Sequence, residues 1–207
     1  MQRSTLDILN RLSALRDDNT GKHTERMARY ARAIAATLGW STAQCQLMRE
    51  AAPLHDLGKI GIPDSVLGQA GALSREEWDV MRRHTTIGYE LLRDQASPVL
   101  QLGAEIALSH HERWDGTGYP LGLCGADIPL SGRIVALADV FDALTTVRPY
   151  KPAWLVEQAI DQIVEDSGTH FDPDVVSAFT SSLERLHAIK AHYDGDEAFA
   201  PLVPLPN

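Results

Sequence analysis

The chain has 207 residues, with 19 Lys and Arg against 28 Asp and Glu and a formal net charge of -9. That length suits one domain able to bury roughly two-thirds of its unfolded surface, and the acidic balance excludes a bulk electrostatic grip on nucleic acid or an anionic membrane. Cys45 and Cys124 are two in number and far apart, which excludes a disulfide framework and points to a reducing cytoplasm.

Met1 to Arg16 mixes charges into its apolar residues, so no signal peptide is expected, and no run nears the roughly 18 apolar residues of a membrane span. Helical periodicity begins with Leu6, Leu9, Leu12 and Leu15 and continues with Met27, Tyr30, Ala31, Ile34 and Leu38 up to Gly39. Ser41 and Gln44 spell a capping box for a third helix, on which Met48, Ala51, Ala52 and His55 share a face. Pro53 removes an amide donor and is expected to bend this helix just before His55 and Asp56.

Gly58, Gly61 and Pro63 interrupt the pattern until Ser74 and Glu77 form a second capping box, followed by a stripe of Trp78, Met81, Thr85, Gly88 and Leu92 beside His84. Ser97 and Pro98 predict the start of a helix carrying Val99, Leu102, Ile106 and His110. Residues 115–127, rich in glycine, read as a long loop. Helices then resume with Leu130, Ile134, Leu137, Phe141 and Leu144, with Trp154, Ala159 and Ile163, and with an Asp172–Pro173 cap before Val176, Phe179, Leu183 and Leu186. No period-two strand is present. The expectation is one all-α domain over residues 1–193, with 194–207 as a proline-rich C-terminal tail.

Eight histidines are available for chemistry. Any one inward histidine reads best as a satisfied core residue. His23, His55, His84, His110 and His111 lie on four predicted helices together with Asp56 and Asp139, and unpaired buried carboxylates cost several kcal/mol each. Metal ions would relieve that cost. Seven imidazole and carboxylate candidates are too many for one ion and suit two, with Asp56 as the natural bridge, and they leave iron, manganese, zinc or cobalt open. Lys59 follows Asp56 by three residues. In the segment His-His-Glu-Arg-Trp-Asp-Gly-Thr-Gly-Tyr-Pro at 110–120, Tyr119 offers an aromatic face and a hydroxyl. Arg148, Tyr150 and Lys151, after a helix holding Asp139 and Asp142, form a small basic cluster that reads equally as an anion site or a solvated helix end.

Together these segments resemble the HD-GYP family of the HD phosphohydrolase superfamily. The matches are His-Asp-Leu-Gly-Lys at 55–59, the His84 segment, residues 110–120, Ala-Asp-Val-Phe-Asp-Ala-Leu at 138–144, Arg-Pro-Tyr-Lys at 148–151 and Gly-Thr-His-Phe-Asp-Pro at 168–173, and the resemblance covers about residues 15–185. It implies an all-helical HD-domain bundle with an extended GYP loop and C-terminal helices, acting as a phosphodiesterase on cyclic di-GMP. The product would be pGpG, with slow further hydrolysis to GMP in some members, through a bridging hydroxide at two divalent metals. Iron leads, with manganese, zinc, cobalt or nickel as alternatives. By resemblance His23, His55, Asp56 and Asp139 would hold one ion, and Asp56, His84, His110 and His111 the other. Lys59 and Asp56 would serve catalysis. Tyr119, Asp142, Arg148 and Lys151 would hold the nucleotide, with Asp142 on a guanine edge or a metal-bound water. His170, His187 and His192 receive no role.

The chain departs from the family at Asn19, where many relatives carry a glutamate linked to a third metal, so two ions are expected and not three. The stretch before Asn19 leaves no room for the usual fused receiver domain. A standalone enzyme, an output fragment, or regulation by a separate partner such as a diguanylate cyclase are the corresponding expectations. Rival readings are an HD hydrolase of another cyclic nucleotide, a di-iron oxygenase, which Lys59, Arg148 and Lys151 disfavour, and a binding module without turnover.

Overall fold

The computed structural model describes residues 2–16, 21–69, 71–147 and 152–197. Asn19, Arg148, Tyr150, Lys151 and the prolines beyond 197 lie outside the described residues. Among those described, the chain is all-α, with no strand beyond an isolated bridge between Ser167 and Phe171. No helix among them is long and apolar enough to cross a membrane.

Helices α1 (Gln2–Arg16), α2 (Gly21–Thr37) and α3 (Thr42–Ala51) open the chain. Met27, Tyr30, Ala31 and Ile34 of α2 are fully buried, as their spacing predicts. The Ser41 hydroxyl accepts from the Gln44 amide, and the Gln44 side chain accepts from Ser41 N–H, which closes the expected capping box. Pro53 acts as its missing amide requires. The α-helix ends at Ala51 and tightens into a 3₁₀ turn over Ala52–Leu54, and His55 and Asp56 follow at its exit before a second 3₁₀ segment, Leu57–Gly61.

Then come α4 (Asp64–Leu67), α5 (Arg75–Met81) and α6 (Arg83–Leu92). The single stripe expected from Trp78 to Leu92 is split at Arg82. Side chains take the carbonyls at the junction: His84 Nδ1 bonds the Met81 oxygen and the Thr85 hydroxyl donates to the Arg82 oxygen, each at 2.8 Å. Trp78 is consequently 45% exposed and outside the core. Helix α7 (Pro98–Ser109) starts where predicted, although the Ser97 side chain makes no capping bond.

Helices α8 (Leu130–Thr145), α9 (Val156–Glu165), α10 (Pro173–Ser181) and α11 (Leu183–Glu197) complete the bundle. Trp154 precedes α9 instead of joining it, and the predicted last helix divides at Ser182, whose hydroxyl donates to the Ala178 carbonyl at 2.7 Å. Helix α11 runs to Glu197, past the expected boundary at 193. The main core joins α2, α8 and α10 through Tyr30, Phe141 and Phe179, with ring centroids 5.2 and 5.1 Å apart. Each such ring contributes roughly 1.5–3 kcal/mol by its burial. A smaller cluster of Leu54, Leu57, Leu92 and Ala104 carries Leu6 and Leu9 of α1.

Two backbone contacts fix the loop between α7 and α8. Trp114 N–H donates to the His170 carbonyl at 3.1 Å and Asp115 N–H to that of Thr169 at 2.9 Å. Asp172 caps α10 and pairs with Arg133 of α8 at 2.6 Å, while the Arg133 guanidinium lies 5.8 Å from the Trp114 ring centre. The Gly-Thr-His-Phe-Asp-Pro segment is therefore a clamp for the loop.

Gly58 is where helix packing tolerates no side chain. A Cβ there would meet the His84 carbonyl oxygen at 1.8 Å and the Gly88 amide nitrogen at 2.5 Å, both backbone atoms. Gly58→Ala is expected to cost about 3 kcal/mol in a urea unfolding curve. Gly39→Ala, opposed only by its φ of +86°, should cost about 1 kcal/mol. A second expectation concerns acid. Burial and then Arg113 hold His170 down at about 4, against 6.5 for a free imidazole. As pH falls from 6.5 towards 4 the unfolded chain takes up this proton and the folded chain does not, so stability is lost across that window. His170→Gln should lose less stability than the wild type between pH 7 and pH 4.5, read from paired urea midpoints.

Candidate metal centre

Seven predicted ligands arrive from separate elements. His23 comes from the first turn of α2, His55 and Asp56 from the turn between the two 3₁₀ segments, His84 from α6, His110 and His111 from the end of α7, and Asp139 from α8. Their donor atoms form two groups. Asp56, His84, His110 and His111 each offer an atom within 4.8 Å of the others, and so do His23, His55 and Asp139.

Asp56 stands between the groups. Its Oδ2 lies 3.3 Å from His55 Nε2 and 2.7 Å from Lys59 Nζ, and its Oδ1 lies 3.3 Å from His84 Nε2 and 3.8 Å from His110 Nε2. Each imidazole is aimed by its other nitrogen. Nδ1 of His55, His84 and His110 bonds to the carbonyls of Ala52, Met81 and Ile106 at 2.9, 2.8 and 3.0 Å. Those bonds turn Nε2 of each ring inward, where it offers a lone pair once the ring is neutral; burial at His55 is outweighed by Asp56 and Asp139, which raise it, so that ring gives up a proton to bind an ion.

The inward atoms then have no hydrogen-bond partner. His55 Nε2, Asp56 Oδ1, His84 Nε2 and His110 Nε2 are buried without one. Buried polar atoms are nearly always satisfied, so four orphans converging on one place form a cluster that could hold a cation able to accept lone pairs. Imidazole nitrogen with carboxylate oxygen and no thiolate suits divalent iron, manganese, zinc or cobalt.

Electrostatics divides the imidazoles. Burial, reinforced by neighbouring histidines, pushes His110 well below its usual value and His111 down to about 3, and burial lowers His84, so these three are neutral and able to donate a lone pair. For His23, burial is outweighed by Asp139 and Asp142, which push it up to about 10. Asp56 and Asp139 are held below the usual carboxylate range, because Lys59 and His55 around the first and His23 and His55 around the second outweigh burial.

Asp142 requires a correction. It was expected on a guanine edge or a metal-bound water, but it is wholly buried and both oxygens are taken. Arg26 Nε donates to Oδ1, Arg26 Nη2 to Oδ2 at 2.7 Å, and His23 Nδ1 to Oδ2 at 2.5 Å. A carboxylate held in this way fixes the plane of the His23 imidazole and has no oxygen left for a guanine edge or a water. Arg26, buried on α2 and also bonded to the Thr146 hydroxyl at 2.6 Å, was missed by sequence reasoning. The available signal was its place three residues after His23 on an otherwise apolar face.

The loop from 110 to 123 wraps the centre. Glu112 is buried, and its oxygens accept from Leu121 N–H at 2.7 Å and Leu123 N–H at 3.1 Å, a role not read from the sequence. Gly118 lies so close to Glu112 and Arg113 that a Cβ would meet the Arg113 amide nitrogen at 2.3 Å. Tyr119 N–H donates to the His111 carbonyl at 3.1 Å, its ring stacks on His111 at 4.7 Å, and the following bond to Pro120 is cis. Burial raises the Tyr119 phenol, so it stays protonated.

The chain is 52% identical over 174 residues to a protein of Thermotoga maritima named cyclic di-GMP phosphodiesterase, covering 84% of this chain and 47% of that protein. It is 48% identical over 188 residues to the cyclic di-GMP phosphodiesterase response regulator RpfG of Xanthomonas campestris pv. campestris, covering 91% and 50%. This chain thus spans about half the length of these curated relatives. Among solved structures, a cyclic GMP-AMP-specific phosphodiesterase of V. cholerae shares the fold with a TM-score of 0.66 at 22% identity, over 98% of this chain and 56% of that one. The family model described as HD domain matches residues 7–175. By that match and its relatives, this chain belongs to the HD domain family, in its HD-GYP branch.

Proposed function

We propose that this chain is a phosphodiesterase that opens cyclic di-GMP to linear pGpG at a centre of two divalent ions, iron first. The strongest support is the set of four converging donor atoms that no protein group satisfies, beside Lys59. The names of relatives at 48–52% identity point to the same substrate. Unpaired Cys45 and Cys124 fit a reducing compartment such as the cytoplasm.

His23, His55 and Asp139 would hold one ion and His84, His110 and His111 the other, with Asp56 reaching both. Bound there, divalent ions supply Lewis acidity and lower the pKa of water enough for attack on phosphorus near neutral pH. The protein's own groups do the rest. Lys59 carries its ammonium to the Asp56 carboxylate, where it offsets negative charge growing on the phosphoryl oxygens and can protonate the departing oxygen from Nζ. Tyr119 covers His111 and restricts water on that side. Asp142, held by Arg26, accepts from His23 Nδ1 and so turns Nε2 toward Asp139, where it would face an ion after giving up its own proton. Arg148 and Lys151 serve as phosphate contacts in this proposal, giving an acidic protein a locally cationic place for a dianion.

Protein purified without oxygen is expected to hold two ions per chain by elemental analysis, and to convert cyclic di-GMP to pGpG as the main product by chromatography. Asp56→Ala should lose most of its metal and fall about a hundredfold or more in turnover, a loss of several kcal/mol of transition-state stabilisation. Retained turnover in that variant would overturn the proposed function. Three ions at full occupancy, or GMP appearing with no linear dinucleotide before it, would overturn the finer points. Asp142→Asn removes the charge that Arg26 and His23 share. Competitive metal titration should show one of the two sites weakened about 10- to 100-fold and the other little changed, alongside a lower melting temperature.

A further inference from the structure

Trp78 and Arg82 have no part in the steps above, yet they stand in line with the centre. Trp78 on α5 and Arg82, four residues later, project from the same face. The Arg82 guanidinium lies 5.8 Å from the Trp78 ring centre and 5.2 Å from that of Tyr119. Tyr119 stacks on His111, a member of the donor cluster. Indole, guanidinium, phenol and imidazole thus form a continuous ladder from solvent to the proposed metals.

The outer two rungs have capacity left over. The indole is 45% exposed and leaves a broad, flat aromatic surface open to solvent. Arg82 is exposed too, and among the described residues no carboxylate is paired with it. A flat apolar face beside a planar fork of donors matches one ligand chemistry well. Purine bases stack on aromatic rings, and the O6 and N7 acceptors of guanine take two parallel N–H donors from arginine. Adenine presents an amino group at the corresponding edge, and arginine has no acceptor to meet it.

We infer that Trp78 and Arg82 form a base subsite that selects guanine, with the purine on the indole and its O6/N7 edge on the guanidinium. The inference rests on the phosphodiesterase reading above and adds to it which base is held and by which residues. The stem of the ladder, Tyr119 on His111, keeps this subsite in register with the scissile phosphate.

The test compares the metal-loaded wild type with Trp78→Ala, Arg82→Ala and Arg82→Lys on three substrates: cyclic di-GMP, cyclic di-AMP and bis(4-nitrophenyl) phosphate, a diester without a purine. Trp78→Ala should lose about tenfold or more in kcat/KM on the cyclic dinucleotides, chiefly through KM. Arg82→Ala should lower the preference for cyclic di-GMP over cyclic di-AMP by about tenfold, and Arg82→Lys should not restore it, because an ammonium is not a bidentate fork. Indole emission should be quenched by cyclic di-GMP in the wild type and much less in Trp78→Phe. Equal losses on all three substrates would overturn the inference, since the pair would then act only through Tyr119 and the centre. Unchanged constants, or quenching that persists in Trp78→Phe, would do the same. A wild type that cleaves the purine-free diester and neither cyclic dinucleotide would instead overturn the substrate proposed above.

Discussion

A carboxylate that is nearly sealed from water must be compensated on all sides, and Asp56 is that carboxylate here. Lys59 and the imidazoles of His55, His84 and His110 surround it, and one of its oxygens still lacks a partner. Four elements are drawn to one point by this demand, and the helices that carry them have their packing set accordingly. Gly58 shows how tight the result is, because the 3₁₀ segment bearing it touches the backbone of α6 with no room for a methyl group. The proximity that places His84 opposite Asp56 is the proximity that forbids a side chain at position 58.

Around that point the protein spends few groups on chemistry and many on aim. Backbone carbonyls fix three of the imidazoles, and Asp142 with Arg26 fixes a fourth. Glu112 holds the far limb of the loop by two amides, and the segment at 166–172 holds the near limb through Trp114 and Asp115. An orphaned lone pair keeps its direction only when the other nitrogen of the ring is tied down, so this outer layer decides whether the donor groups exist at all.

The helical architecture was legible because its signals are local. Capping boxes at Ser41 and Ser74, the Asp172 cap and the apolar face of α2 depend on residues a few positions apart, and the structure shows each of them. Breaks were less legible. The division at Arg82 arises because His84 and Thr85 bond the preceding carbonyls, which depends on where the His84 ring must face, and Ser182 similarly answers to α2 through the Thr37 hydroxyl at 2.7 Å.

By itself the sequence determined the all-helical class, most of the helix starts, the seven candidate ligands and the resemblance to the family, since these rest on local spacing and on motifs in a set order. Only the tertiary structure decided how they divide into two groups, that Asp56 faces both, that Asp142 turns inward to Arg26 and His23, and that Arg82 lies between Trp78 and Tyr119. The reason is distance along the chain. His23 and Asp142 are 119 positions apart, and no local pattern tells whether an aspartate on an amphipathic helix meets water, substrate or another side chain. That choice is made when helices pack and a buried charge finds its partner.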